Sequence, residues 1–466
     1  MNLDLYKKIY LIGVGGIGMS ALARYFNAKG KSVFGYDKVK SDLCITLQKE
    51  GIQIDYEDSA LDIPQEIIRG KVSETLVIYT PAIPEENQIF KFFINKEFNI
   101  FKRAEVLGMI SKKVFTIAIA GTHGKTTTST MLAHILHQSG YEVTAFLGGI
   151  SRNYNTNLLL ADKANMLIVE ADEFDRSFLQ IHADIAVITS VDIDHFDVYK
   201  DKRDLDLAFI QFVSQIKDKG LLLVEESIDI DFPKYSSIKK INYSVVKKAD
   251  YFAENIRVKD ARMVFDIMIS DKIDRFSTQK IRKNIELNMP GVHNVSNAVA
   301  ATVVAFNLGL TFNDIVNGIV TFKGINRRFD KLIDTKELVY IDDYAHHPEE
   351  VSATICTTKK LYPLREILVV FQPHLYSRTK KLAKDFALSL QGADDLVLLD
   401  IYPAREKPIS GINSQMLLDL CDNQKKELCS KDELLFVLER KSIDVLLTLG
   451  AGDIGSLVQP IKHMLN

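Results

Sequence analysis

Residues 114–131 read VFTIAIAGTHGKTTTSTM, an apolar run that closes on Gly121-Thr122-His123-Gly124-Lys125-Thr126-Thr127. A helical pattern through Met131, Leu132, Ile135 and Leu136 follows at once. Strand, glycine loop, lysine, hydroxyl and helix, in that order, make a cradle for phosphate. Glycines let backbone N–H groups crowd an anion, and the helix N-terminus adds partial positive charge. Lys125 suits the β/γ-phosphates of a nucleoside triphosphate, and the Thr126 hydroxyl suits Mg²⁺. The usual loop has a glycine, four intervening residues and then Gly-Lys. Ile119 occupies that first position, so the loop is shorter and begins at Gly121. The competing reading is a glycine turn that caps a helix, which needs no lysine.

Carboxylates follow the next strands. Met166–Val169 runs into Glu170-Ala171-Asp172-Glu173-Phe174-Asp175. Such acids repel one another unless cations or water relieve them. Mg²⁺ takes oxygen ligands and keeps several waters, so one or two carboxylates beside ATP suffice. Glu170, nearest the strand end, is the first choice. A second acidic turn, Asp192-Ile193-Asp194-His195-Phe196-Asp197, follows the expected strand Ile185–Thr189. His195 reads either as a metal ligand or as a hydrogen-bonded loop histidine, and its spacing alone favours the latter.

A separate loop, Gly13-Val14-Gly15-Gly16-Ile17-Gly18, lies between strand Ile9–Ile12 and the helical run Met19–Asn27. Asp37 ends the next strand. The pattern reports a diphosphate on a helix N-terminus, at Gly15, Gly16 and Gly18, with Asp37 near a ribose. A nicotinamide dinucleotide and a UDP-sugar satisfy it equally, and a ligand-free βα turn is the third reading.

These loops need elements to hold them. An apolar strand, a polar or glycine turn and a helix recur along the chain, which predicts α/β layers with mostly parallel sheets. The chain has 466 residues, enough for about three domains at ~150 residues each. Three blocks are expected: 1–112, Rossmann-like; 113–325, a phosphate-loop ATPase domain; and 326–466, Rossmann-like again. Further strands are expected at Val33–Tyr36, Val114–Ala120, Leu221–Val224, Leu338–Ile341, Ile367–Phe371, Leu396–Leu399 and Val445–Leu449, with antiparallel ribbon around Arg262–Ile269. In each block the interesting polar residues sit just after a strand, where open α/β sheets bind ligands.

Composition bounds the rest. The 47% hydrophobic and 26% charged residues are an ordinary globular balance. A net charge of −3 gives no general reason to expect nucleic acid or an anionic membrane as partner. Cys44, Cys356, Cys421 and Cys429 lack CxxC spacing and fit reduced thiols. With no signal-peptide pattern and no apolar run long enough to span a bilayer, a cytoplasmic location is expected. The sequence specifies no oligomeric state.

Taken in order, the motifs match a known family. They are GVGGIGMSALA at 13–23, RAEVLG at 103–108, GTHGKTTT at 121–128, EADEFD at 170–175, DIDHFD at 192–197 and GVHNVSNAVAA at 291–301. RRFD at 327–330, DDYAHHP at 342–348, FQPHLYSRT at 371–379, DIYPAREKPISG at 400–411 and GAGDI at 450–454 continue the series. Over essentially its whole length the chain resembles the Mur ligases, ATP-dependent amide-forming enzymes of peptidoglycan precursor synthesis, in their alanine-adding branch.

The resemblance implies roles. The first domain would hold UDP-N-acetylmuramate through Gly15 and Gly16, the second ATP through Gly121 to Thr127, and the third L-alanine. Thr126, Glu170 and His195 match the family's magnesium ligands, which reverses the spacing-only reading of His195. His293, Asn294 and Asn297 fall in the motif on the adenine and ribose side. Their bland reading, for Asn294 and Asn297, is N-capping before the apolar run Ala298–Ala305. Arg327 and Asp343 match positions serving phosphate contact, and Tyr344, His346 and Arg378 match the amino-acid pocket. The implied route passes through an acyl phosphate on the lactyl carboxylate, attacked by the alanine amine. Lys125 and Arg327 would supply charge, with His346 as a candidate proton acceptor. Against that role, His346 and His347 would only orient the helix starting at Pro348.

Two positions depart from the family. Leu375 stands where FQPH commonly continues with arginine, which puts more of the carboxylate recognition on Arg378. Ile210 stands where related ligases carry a carbamylated lysine, an absence that fits the alanine-adding branch. Three alternatives are a ligase recycling a preformed tripeptide, a nicotinamide-dependent oxidoreductase and a non-catalytic nucleotide sensor. The arginine of FQPHLYSRT disfavours the first, the second phosphate loop has no job in the second, and Lys125, Glu170 and His195 together disfavour the third.

Overall fold

The computed structural model describes residues 2–192, 198–233, 236–259, 262–270, 281–404 and 406–466. Contacts divide the chain into two compact units. One comprises residues 1–257, 264–288 and 292–323, and the other residues 258–263, 289–291 and 324–466.

The first unit contains two sheets. Strands β1 (Lys8–Ile12), β2 (Ser32–Tyr36), β3 (Gln53–Asp55), β4 (Thr75–Tyr79) and β5 (Asn99–Lys102) form a sheet in the order β3-β2-β1-β4-β5. Neighbouring strands run parallel throughout. The order reverses at β1, so the glycine loop that leaves β1 opens at the switch point, the position where such sheets take ligands.

The larger sheet uses β6 (Phe115–Ala120), β7 (Val143–Ser151), β8 (Thr156–Leu159), β9 (Met166–Ala171), β10 (Ile185–Ile188), β11 (Leu221–Glu225), β12 (Lys239–Ser244), β13 (Tyr251–Lys259), β14 (Arg262–Ile269) and β15 (Ile281–Leu287). Its order is β15-β14-β13-β12-β11-β10-β6-β9-β7-β8. From β13 to β7 the pairs are parallel, and β8 closes one edge antiparallel to β7. Central β6 is buried from Thr116 onward, which explains its near-continuous apolar run. A parallel strand covered on both faces has no solvent side to make polar.

The two sheets of this unit share a core. Leu11, Leu22 and Val106 belong to one buried cluster with Phe146, Val169 and Phe178. Polar ties reinforce it. Asn157 on β8 donates to the Ile17 carbonyl at 2.6 Å and to Ser20 Oγ at 2.8 Å, on the helix Ile17–Ala28. Lys102 pairs with Asp175 at 3.2 Å.

The second unit is built on β16 (Asp330–Asp334), β17 (Val339–Asp343), β18 (Ile367–Phe371), β19 (Asp395–Leu399), β20 (Lys425–Cys429) and β21 (Val445–Leu449), ordered β16-β17-β21-β18-β19-β20. Only the edge pair β16–β17 is antiparallel. Its loops after β17, β18 and β21 carry the DDYAHHP, FQPHLYSRT and GAGDI motifs. Among the described residues no helix is long and apolar enough to cross a membrane.

Candidate functional site

The phosphate loop is shaped by contacts that only glycine permits. Gly124 has φ +82° and Gly121 φ +131°, the left-handed region that L-residues rarely adopt. A Cβ on Gly124 would stand 2.5 Å from Asn297 Oδ1, and one on Gly121 would stand 2.2 Å from Thr189 Oγ1. Residues after β10 brace the turn. The Ser190 carbonyl accepts from Thr122 N at 3.1 Å, and Ser190 Oγ accepts from His123 N at 2.8 Å. Thr189 and Ser190 were not singled out from sequence, because their role depends on β10 lying beside β6.

The helix Lys125–Gln138 starts directly on the loop and is buried from Lys125 through Leu136. Two of its buried hydroxyls are satisfied locally: Thr128 donates to Asn297 Oδ1 at 3.1 Å and Ser129 to the Thr126 carbonyl at 3.1 Å. Asn297 accepts that bond while donating to Asn294 at 3.3 Å. Both asparagines lie inside the helix Val292–Asn307 and are buried. The N-capping reading is therefore corrected: the helix begins before them, and Asn297 ties its first turns to Thr128, just past the phosphate loop. His293 beside them is exposed.

Lys125 is the charge at the centre. Its Nζ lies 2.7 and 3.0 Å from the two oxygens of Glu173 and 3.7 Å from Asp172. Glu173 is fully buried. Desolvation works against the ammonium, but Glu173, Asp172 and Glu170 outweigh it and hold the lysine protonated, above its ordinary range. Sequence showed four acids here without showing which one was buried against Lys125.

The oxygen donors expected for Mg²⁺ converge. Thr126 Oγ1 donates to both Glu170 oxygens, at 3.1 and 3.0 Å. Across from them, a Cβ on Gly148 would lie 1.7 Å from Glu170 Oε2, so that strand position leaves room only for the carboxylate. One carboxylate and one hydroxyl beside a phosphate loop are a donor set that fits Mg²⁺. His195 lies outside the described residues.

The first glycine loop is equally constrained. Gly15 N donates to Asp37 Oδ2 at 2.8 Å, and Asp37 Oδ1 accepts from Val39 N at 3.0 Å. A Cβ on Gly15 would meet Cys44 Sγ at 2.6 Å. Asp37 thus fixes the loop itself, a task the ribose reading did not anticipate. Gly16 and Gly18 line a cleft of about 270 Å³. Its far wall is Phe146, Leu147, Gly148, Glu170 and Asp172. The diphosphate loop of one sheet and the carboxylates beside the phosphate loop of the other therefore open onto a single space.

In the second unit, Arg327 (φ +63°) is locked by Asp342 Oδ2 at 2.9 Å from its Nε and by the Gly450 carbonyl at 2.6 Å from Nη2. Arg327 and Arg328 each lie 5.3 Å from the Tyr344 ring centre, within cation–π range. Asp343 accepts from Phe329 N at 2.7 Å and Ala345 N at 2.8 Å. Burial raises its carboxyl to about 6 against the opposing pull of Arg328 and these amides.

His346 Nδ1 lies 3.0 Å from the Tyr344 carbonyl and 3.2 Å from Glu350. Both partners accept, so Nδ1 carries the proton and Nε2 the lone pair. Burial pushes this imidazole below its ordinary range, Glu350 opposes, and nearby Arg378 adds to the depression. His346 also meets the His374 ring at 6.0 Å. Leu375 itself has φ +69° and starts the helix Tyr376–Leu390 that carries Arg378.

Comparison with known proteins gives a consistent result. Three family models match consecutive parts of the chain: the Mur ligase family catalytic domain at 8–114, the Mur ligase middle domain at 119–305, and the Mur ligase glutamate ligase domain at 327–452. A UDP-N-acetylmuramate–L-alanine ligase from Flavobacterium johnsoniae is 46% identical over 466 residues, spanning 100% of this chain and 99% of its own. That from Parabacteroides distasonis is also 46% identical, spanning 100% and 98%. Among solved structures, the UDP-N-acetylmuramate-alanine ligase of Thermotoga maritima superposes with a TM-score of 0.83 at 26% identity, covering 98% of this chain and 99% of that one.

Proposed function

The chain belongs to the Mur ligase family, and from that premise we propose that it joins L-alanine to the lactyl carboxylate of UDP-N-acetylmuramate at the expense of ATP, in peptidoglycan precursor synthesis. The observation that carries this reading is the shared cleft, with Gly16 and Gly18 on one wall and Glu170 and Asp172 on the other. An oxidoreductase needs only the first wall.

A carboxylate is a poor acylating agent because oxide is a poor leaving group. Transfer of the γ-phosphoryl group of ATP to the lactyl carboxylate gives an acyl phosphate and ADP. The alanine amine then adds to the acyl carbon, and phosphate leaves. In the first step two anions approach each other, so positioning and charge neutralisation dominate. Lys125 and the loop Gly121 to Thr127 hold the triphosphate, through the amides not already given to Ser190. Thr126, Glu170 and His195 would hold Mg²⁺, which supplies further positive charge to the phosphates.

Asn294, Asn297 and His293 lie on the side read as adenine and ribose. The pocket of Tyr344, His346 and Arg378 takes the amino acid, with Arg327 as the cation for phosphate and Asp343 shaping the loop that bears Tyr344. A neutral amine is required for attack, and the free Nε2 of His346 is suited to accept its proton. The test is ADP release from purified protein. It should require UDP-N-acetylmuramate and an amino acid together, with L-alanine preferred over glycine and L-serine. Release independent of the sugar nucleotide would reject the reading.

A further inference from the structure

Arg103 opens the helix Arg103–Ser111 immediately after β5. Its half-buried side chain lines the cleft beside Gly16, Gly18 and Thr80. The guanidinium rests on the first turn of the helix Ile17–Ala28. A Cβ on Gly18 would stand 2.7 Å from Nη1 and 3.1 Å from Cδ and Cζ. A side chain at Gly18 would have to displace the Arg103 guanidinium.

Neighbouring cations are already matched. Arg24 pairs with Glu50 at 2.8 Å, Lys102 with Asp175 at 3.2 Å and Lys125 with Glu173 at 2.7 Å. Among the described residues the Arg103 side chain has no hydrogen-bond or ion-pair partner. Glu170 and Asp172 line the same cleft without reaching it. A guanidinium that has lost part of its water and gained no acceptor is a site prepared for an anion, and its planar fork favours phosphate oxygens.

We propose that Arg103 is a substrate-binding residue that grips the diphosphate of the nucleotide sugar. This rests on the function proposed above. The substrate brings two anions to the cleft, its diphosphate and its carboxylate. Position separates them. Arg103 lies on Gly18, over the glycine loop, whereas a carboxylate that is to be phosphorylated must lie toward Glu170 and the phosphate loop.

The test is titration of wild type, Arg103→Gln and Arg103→Lys with uridine, UDP, UDP-N-acetylglucosamine and UDP-N-acetylmuramate. The third compound has the diphosphate but no lactyl carboxylate. Arg103→Gln should weaken all three diphosphates by about tenfold to a hundredfold and leave uridine binding and the KM for ATP unchanged. Arg103→Lys should recover part of the loss. Gly18→Ala, whose methyl group takes the guanidinium's place, should reproduce it without removing the charge. Loss confined to UDP-N-acetylmuramate would move the contact to the carboxylate and overturn the proposal, as would unchanged binding throughout. A wild-type protein that bound no uridine diphosphate would overturn the functional reading, and this proposal with it.

Discussion

Lys125 shows how much one residue can declare in sequence and how much it withholds. Its place after Gly124 announced a phosphate site, and Thr126 and Glu170 were legible for the same reason: short-range spacing fixes them relative to one strand end. Glu173 was not legible as the partner of Lys125, because adjacent acids look alike until burial separates them. The pair has an energetic consequence. Removing one member of a buried ion pair strands the other, typically at about 3–5 kcal/mol. We therefore expect Lys125→Ala to lower ADP formation by about a thousandfold while leaving the Kd for the UDP-sugar within a few-fold. The double variant Lys125→Ala/Glu173→Gln should be equally inactive yet more stable to urea than the single one. Comparable loss of sugar-nucleotide binding would contradict the division of labour between the two loops.

At the scale of elements, several expected strands carry uninterrupted apolar runs, such as β6, β18 and β21. Among the strands not expected are β7, whose Gly148-Gly149 reads as a turn, β3 and β5, which are short, and β4, despite its apolar Leu76-Val77-Ile78. Gly148 is there because Glu170 leaves no room for a Cβ, a tertiary reason that periodicity cannot express. Leu375, in the amino-acid motif, adopts φ +69° where a sequence reader expects glycine or asparagine, and nothing local signals it.

The helix Lys125–Gln138 is also held from behind: His134 contacts Tyr154 OH at 2.8 Å and Thr321 Oγ1 at 3.0 Å. Burial, then His137 and Lys323, lower this imidazole to about 4. The unfolded chain, titrating near 6.5, binds the proton first, so the stabilisation is present above pH 6.5 and is lost as pH falls through 4. Its size is up to about 3 kcal/mol, from 1.36 kcal/mol per pKa unit. Urea unfolding of His134→Gln should show a markedly flatter decline between pH 6.5 and 4 than wild type. Parallel declines would assign the acid sensitivity elsewhere.

For the whole molecule, the ordered series of motifs carried the family, and the family models meet the chain in three consecutive stretches. What sequence could not supply was the convergence inside the first unit. Gly18 and Glu170 are far apart along the chain and line the same 270 Å³ cleft because the helix Ile17–Ala28 docks on β8. That convergence is the central claim: one substrate, anchored by its diphosphate, presents its carboxylate to the γ-phosphate of ATP. The most direct measurement is oxygen transfer, using UDP-N-acetylmuramate labelled with ¹⁸O in the lactyl carboxylate. One ¹⁸O per turnover should appear in the inorganic phosphate released with ADP. Unlabelled phosphate, or AMP with labelled AMP oxygen, would contradict direct phosphorylation of the carboxylate in this cleft.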